Sequence, residues 1–133
     1  MTNAEKVNDY LDKAGLFYFL TTEGDQPKGR PFGFHALVGD KVYFGCGTFK
    51  KVYRQLLANP RVEILALQGD EFMRYDGRVK LVKDEAVEKK LRETEPDLMS
   101  MYDENGWEMG LFYLENGHAE IRGIFDLLEE FEV

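Results

Sequence analysis

The sequence has 133 residues, 44% of them hydrophobic, and a formal net charge of −8. This composition excludes a disordered chain and predicts one domain over residues 1–133. No apolar run reaches membrane-spanning length, the first residues are not typical of a signal peptide, and the acidic balance argues against nucleic-acid binding. Because the single cysteine, Cys46, excludes an internal disulfide, we expect a cytoplasmic protein.

The first third of the chain predicts one helix and two strands. An apolar stripe predicts a helix over residues 2–13, and aromatic and branched residues predict a strand over 16–22. A second strand is predicted over 28–38. Pro31 has no N–H to donate, so this strand is expected at a sheet edge or at a bulge.

The predicted strand over 28–38 has two unlike faces. One face is nearly bare around Gly33, which suits a flat ligand or another backbone. The other face carries side chains at every second position. The residues expected on it are Arg30, Phe32, Phe34 and Ala36.

Residues 41–60 predict a strand, a tight turn and a helix. Gly45 and Gly47 flank Cys46 and give the backbone room to turn or to lie against a ligand. Thr48 is the expected N-cap of the helix. An apolar stripe follows, and Asn59-Pro60 ends the helix.

This helix carries cations where cations are unfavourable. Lys50, Lys51 and Arg54 lie in its first two turns, although the N-terminus of a helix is already partly positive. Basic residues beside free backbone N–H groups favour a bound phosphate. The alternative is three solvated surface cations. Residues 28–80 carry a net charge of +5 and the remainder −13, a pattern that suits a small anionic ligand.

The second half of the chain alternates strands and helices. The apolar patterns predict strands and helices in an order typical of a mainly β protein with flanking helices, built as a small closed or split barrel. Gly77 is expected at a bulge. The predicted strands are 61–67, 71–82, 110–114 and 119–125, the last two joined by a hairpin at Asn116-Gly117; the predicted helices are 84–95, 96–102 and a ragged acidic tail, 126–133.

Several motifs follow one another in an order and spacing that resemble a known family. They are Phe17 to Thr22 with a turn to Pro27, Arg30 to Phe34, Val42 to Phe44, Thr48 to Leu56 running into Asn59-Pro60-Arg61-Val62, and Arg74 followed by Gly77-Arg78-Val79. The chain resembles the pyridoxamine 5'-phosphate oxidase-like flavoproteins with an FMN-binding split β-barrel. Within them it is similar to the short bacterial, nitroimidazole-reductase-like members.

The resemblance implies FMN at the interface of a homodimer. It implies that the strand through Arg30, Pro31 and Phe32 lies along the flavin ring, and that Gly45, Cys46, Gly47 and Thr48 pass the ribityl chain. Lys50 and Lys51 are implied at the phosphate. A cation near the ring stabilises its reduced anion, and Arg30 or, from the second subunit, Arg74 is the candidate. The weaker, substrate-side candidates are His35 and Trp107.

Each of these residues also has a structural interpretation. Arg30 is alternatively a surface cation on an edge strand, and Cys46 a small buried residue. His35 is alternatively a neutral strand histidine, and Trp107 a packing aromatic. Two histidines and one cysteine, widely spaced, give no metal-ligand pattern, and no catalytic acid–base pair is visible.

The resemblance favours an FMN-dependent oxidoreductase that passes electrons from a reduced nicotinamide to a small organic acceptor. The acidic end of the chain, from Arg122 to Val133, departs from the basic end of true pyridoxamine phosphate oxidases, so that specific activity is not expected. One alternative is a non-catalytic electron carrier or redox-sensing module. Another is haem or a deazaflavin on the same barrel; haem would need His35 or His118 as a ligand.

Overall fold

The computed structural model describes residues 1–133. It contains four helices and eight strands. None of the helices is both long enough and apolar enough to cross a membrane. In chain order the elements are α1 (Asn3–Ala14), β1 (Phe17–Glu23), β2 (Gln26–Phe32), β3 (His35–Val38), β4 (Lys41–Gly47), α2 (Lys51–Ala58), β5 (Arg61–Gln68), β6 (Glu71–Val82), α3 (Glu85–Thr94), α4 (Pro96–Asn105), β7 (Met109–Arg122) and β8 (Leu127–Glu132).

The strands form one antiparallel sheet that is rolled into a split barrel. Its order is β2-β1-β5-β6-β7-β4-β3, and β8 pairs with β7 outside this order. The two end strands, β2 and β3, are consecutive in the chain and are separated by residues 33–34. Because so short a connection spans at most about 11 Å, the two ends of the sheet lie close together. They are not paired with each other, so the barrel stays open along this seam.

The barrel interior is packed with aromatic rings. Phe44 lies between Phe17 and Phe112, with 5.8 Å between ring centroids in each pair. Phe19 packs on Phe112 at 5.4 Å. All four rings are fully buried, and α1 covers them with Val7, Leu11 and neighbouring apolar residues. The inward positions of β1, β4 and β7 therefore build the main core together.

A second, smaller core lies on the other face of β3, β4 and β7. Helices α3 and α4 cover it with Val87, Leu91, Met99 and Tyr102. Asp84 is the N-cap of α3 and stabilises its first turn, because its carboxylate accepts hydrogen bonds from the N–H groups of Ala86 and Val87. The sheet is thus covered on both faces in this region.

The predicted strand over 28–38 is wrong in one respect. It is interrupted at residues 33–34, and the faces change across the break: Phe32 packs on the main core, whereas Phe34 and Ala36 belong to the second core. His35 alternates with Phe34 and Ala36 and packs against Phe17, so the face expected to be bare is filled at this position. The edge position of Pro31 is confirmed, since β2 is an end strand of the sheet.

The predicted hairpin at Asn116-Gly117 is also wrong, because β7 runs unbroken from Met109 to Arg122. Its register against β6 shifts where Asp76 faces His118 and Arg78 faces Glu115, so the extra residues form a bulge. Asn116, with φ of 54°, takes the left-handed backbone that the bulge needs. The bulge expected at Gly77 is confirmed.

The acidic tail is a strand and not the predicted helix. Residues Leu127–Glu132 form β8, which pairs with the second half of β7. Phe131 and Val133 pack against the main core, while the alternating residues Glu130 and Glu132 face solvent. This alternation has the period of a strand, and the register with β7 gives it a partner.

Candidate functional site

The N-terminus of α2 is uncapped. The helix begins at Lys51, and Lys50 is its N-cap residue without any side-chain hydrogen bond to the first turn. The prediction of Thr48 as the N-cap is wrong, because residues 48–50 form a turn in which the N–H of Thr48 donates to the carbonyl of Glu108 at 2.9 Å. No acidic residue lies in the first turn. The positive end of the helix therefore has no side-chain acceptor.

Three cations surround this uncapped end without a counter-charge. Lys50, Lys51 and Arg54 are exposed, and none of them lies within 4.0 Å of a carboxylate oxygen. Three free cations beside unsatisfied helix N–H groups create a positive potential that a bound anion relieves. The arrangement fits a phosphate group.

Arg30 lies beneath this helix and is held in one position. Its Nη1 donates to Thr21 Oγ1 at 2.7 Å and its Nη2 donates to Gln55 Oε1 at 2.8 Å. Thr21 and Gln55 are themselves buried and hydrogen-bonded to each other. Burial lowers the pKa of Arg30, but a guanidinium stays charged at neutral pH. The surface-cation alternative does not describe this half-buried, fully oriented side chain.

Cys46 lies at the inner end of β4, within the electrostatic reach of Arg30 and Lys50. Burial raises the pKa of its thiol to about 12, against the lowering effect of these two cations. The thiol is therefore protonated at neutral pH and is a poor nucleophile. This environment is that of a small buried residue.

The space above the two glycines of β4 is filled by side chains of the same chain. A Cβ on Gly47 would lie 2.6 Å from a ring carbon of Phe49, and one on Gly45 would lie 3.1 Å from the Met109 side chain. Gly47 is therefore needed for packing against Phe49 in the turn before α2, and a side chain at Gly45 would displace Met109 of β7.

An aromatic cluster borders the turn before α2. Phe49 stacks on Trp107 at 4.4 Å between ring centroids, and Tyr102 meets Trp107 edge-on at 5.7 Å. Trp107, 38% exposed, lines a cavity of about 490 Å³ between this turn, α3 and α4. Thr48 reaches the same cavity. A second cavity, of about 470 Å³, lies beside α2 and is lined by Lys51, Arg54, Gln55 and residues of the β1–β2 turn.

The structure brings some, but not all, of the predicted site residues to one place. Arg30, Cys46, Thr48, Lys50 and Lys51 meet around the start of α2. The buried partners Thr21 and Gln55 were not predicted, although a glutamine inside the apolar stripe of a short helix is the signal that could have found Gln55.

The other predicted residues lie apart from α2. Pro31 is exposed on the edge strand, and Phe32 stacks on Phe19 at 4.7 Å. Arg74 lies on the outward face of β6, with Glu120 4.0 Å away. His35 is 8% exposed at its side chain, and its ring nitrogens lie 2.7 Å from Asn8 Oδ1 and 3.1 Å from Asp12 Oδ1. Both nitrogens of His35 are therefore occupied by α1.

We expect the buried His35 to make the protein less stable in acid. Burial lowers its pKa below the ordinary value near 6.5, and Asp12 only partly opposes this shift. Below that pH the unfolded chain binds a proton that the folded protein excludes, so the free energy of unfolding falls as the pH falls. Urea unfolding at pH 7 and pH 5 measures the loss. It should be larger in the wild type than in His35→Gln; equal losses would contradict the assignment.

The fold, an antiparallel split β-barrel with a basic, uncapped helix after its fourth strand, defines the class of split-barrel proteins. The model of the family described as pyridoxamine 5'-phosphate oxidase matches residues 4–110. The chain therefore belongs to the pyridoxamine 5'-phosphate oxidase family. Among the curated proteins, none matches this sequence.

Solved structures of three proteins show the same fold. A NimC/NimA family protein from Clostridium acetobutylicum is 30% identical with a TM-score of 0.87, over 100% of this chain and 95% of that one. A pyridoxamine 5'-phosphate oxidase-related, FMN binding protein from Nostoc punctiforme is 14% identical with a TM-score of 0.64, over 99% and 88%. A heme binding protein from Mycobacterium smegmatis is 12% identical with a TM-score of 0.68, over 99% and 58%.

Proposed function

We propose that this protein binds FMN and is an oxidoreductase that passes electrons from a reduced nicotinamide to a small organic acceptor. The observation that carries the proposal is the uncapped N-terminus of α2 with its unpaired Lys50 and Lys51. A flavin phosphate supplies the anion that this end lacks. Membership of the family and the FMN binding of the Nostoc neighbour support the same ligand.

Arg30, whose side chain lies on the face of β2 opposite Pro31, is proposed to act across the strand as the positive charge near the flavin. Its guanidinium is oriented by Thr21 and Gln55 before any ligand arrives, so binding costs little side-chain ordering. When bound, FMN supplies the electron-transfer chemistry, and the protein supplies position and charge. A cation that cannot move away favours the anionic reduced form over the neutral oxidised form.

The ring is proposed to lie along β2 near the open seam of the barrel. Pro31 and Gly33 are exposed there, and neither carries a long side chain that would block a flat ligand. The ribityl chain is proposed to pass the turn at Thr48 on its way to Lys50. Gly45 and Gly47 are not placed against it, because Met109 and Phe49 fill the space above them. Trp107 borders the adjoining cavity and is proposed as a wall for the acceptor. His35 is not part of this proposed site, because α1 occupies its ring nitrogens.

A homodimer is proposed through the outward face of β2, β1 and β5. Pro31, Tyr18 and Leu65 follow one another across these strands in register, and Tyr18 and Leu67 are 39% and 53% exposed. A second copy would bury this apolar surface. Arg74 continues the same row on β6, so this face also presents the cation proposed to reach the flavin of the other copy. Light scattering at micromolar concentration tests the dimer; a monomer would contradict it.

The absorption spectrum of the purified protein, before and after heat release of its chromophore, is the first test. Released FMN would support the cofactor, and NADH oxidation by the loaded protein would support the oxidoreductase. Bound FMN without NADH oxidation would favour the electron carrier or redox-sensing module. A colourless protein that also takes up no added FMN would overturn the proposal.

The geometry favours FMN over haem. A nitrogen ligand to haem iron would have to come from a histidine, and the chain has only His35 and His118. Both nitrogens of His35 lie against α1, and both nitrogens of His118 lie within 2.9 Å of glutamate oxygens. A Soret band in place of the flavin spectrum would show that one of them is released to bind iron.

A further inference from the structure

Four polar residues on β7 and β8 face the same way, in the cross-strand rows that continue beyond Arg74 and Asp76 of β6. In the register of these strands His118 lies opposite Glu132, and Glu120 lies opposite Glu130. The residues between them turn to the other side and pack on the main core. The pairing of β7 with β8 therefore places one imidazole and three carboxylates next to one another on an accessible surface.

The distances within this group suit a metal ion. Nitrogen or oxygen atoms of His118, Glu120 and Glu130 all lie within 4.8 Å of one another. Zinc binds histidine nitrogen and carboxylate oxygen at about 2.0–2.2 Å, so one ion placed between these atoms reaches all three after small side-chain rotations. A site with three protein ligands leaves a fourth position for water.

We propose that His118 Nε2, Glu120 and Glu130 form a binding site for a divalent first-row transition metal ion, for which Zn²⁺ is the probe. Glu132 completes the arrangement as a positioning residue. Its Oε1 lies 2.7 Å from His118 Nδ1, where it accepts the Nδ1–H and leaves Nε2 facing Glu130 and Glu120. Metal-binding histidines in proteins are commonly oriented by a carboxylate in this way.

A separate observation shows that this sheet face has surplus negative charge. Glu63 on β5 and Asp76 on β6 lie in the same cross-strand row as His118. Burial raises the pKa of Glu63, and Asp76 and Glu120 raise it further against the effect of Arg74. The nearby cations, Arg74 and Arg122, lie 4.0 and 3.4 Å from Glu120 and leave Glu130 and Glu132 without an arginine or lysine. A bound dication would neutralise the negative charge of Glu130 and Glu132, which the two arginines leave unpaired.

A metal ion in this site would link β8 to β7. Glu130 belongs to β8 and the other two ligands to β7, so the ion joins the two strands through side chains as well as backbone. Buried Cys46 offers no competing thiolate, because burial raises its pKa to about 12. Zinc should consequently raise the unfolding temperature of the protein without a contribution from FMN.

Calorimetric titration of the tag-free protein with ZnCl₂ tests the proposal. We expect saturable binding of one ion per chain. His118→Gln should abolish binding, and Glu132→Gln should weaken it about 10–100-fold. Glu115→Gln, which removes an exposed carboxylate of β7 outside the group, is the matched control and should bind as the wild type does.

Two results would overturn the metal site. One is the absence of saturable zinc binding, and the other is equal affinity in the wild type and His118→Gln. Mg²⁺ in excess should not displace zinc, because it prefers an all-oxygen octahedral shell. FMN content is measured in the same samples, so a failure of the flavin proposal leaves the outcome for zinc unaffected.

Discussion

Replacing both Lys50 and Lys51 by glutamate is expected to abolish FMN retention. The change removes two cations from the uncapped N-terminus of α2 and places two carboxylates where the flavin phosphate is proposed to bind. Each hydrogen bond to a charged group contributes about 1.5–3 kcal/mol. Loss of two such contacts therefore weakens FMN binding by about 100-fold or more. Quenching of FMN fluorescence on titration with apoprotein measures the affinity.

The control for this variant is Lys89→Glu combined with Lys90→Glu on α3. These adjacent lysines are exposed, and their replacement changes the net charge by the same amount at a different surface. The control should retain FMN. Glutamates in the first turn of α2 interact favourably with the helix dipole, so the first variant should unfold at no lower temperature than the wild type. Unchanged FMN affinity in Lys50→Glu/Lys51→Glu would show that the helix end is not the phosphate site.

Phe112→Ala is expected to destabilise the protein by about 3–5 kcal/mol. Phe112 is fully buried, and it packs between Phe19 and Phe44 in the main core. It also lies where β7 pairs with both β4 and β6, so the cavity would open at the junction of three strands. Urea unfolding followed by the fluorescence of Trp107, the single tryptophan, measures the change in the free energy of unfolding.

Phe125→Ala is the matched control for the core substitution. Phe125 is 94% exposed at the turn between β7 and β8, so the same chemical change should alter stability by no more than about 0.5 kcal/mol. A loss below about 1 kcal/mol in Phe112→Ala would mean that the barrel interior is not packed as described. The difference between the two variants separates burial from the loss of a benzyl group.

The sequence alone predicted the elements whose signals are local. The apolar stripe of α1, the aromatic run of β1 and the bulge at Gly77 were each correctly predicted. The order of motifs predicted the family and the split barrel, and both are confirmed. Lys50 and Lys51 were recognised as unusual because a cation at a helix start is unfavourable whatever surrounds it.

Predictions were wrong where a segment can adopt two local conformations and pairing with a distant segment decides between them. Asn116-Gly117 is typical of a hairpin, but β7 pairs with β6 on both sides of this dipeptide and uses the same left-handed backbone for a bulge. The acidic tail has weak periodicity, and pairing with β7 makes it a strand. The faces of β2 and β3 change at residues 33–34, because their side chains pack on different cores.

The candidate site divides in the same way. Sequence spacing identified Arg30 and the cations of α2, but only the tertiary structure joined Arg30 to Gln55 and Thr21. It also showed that His35 contacts α1 and that His118 lies beside a glutamate of the neighbouring strand β8. Helix periodicity and charge at a helix end depend on neighbours along the chain. Strand register, the partner of a buried polar group and the members of a surface cluster depend on contacts between distant segments, and those exist only once the chain has folded.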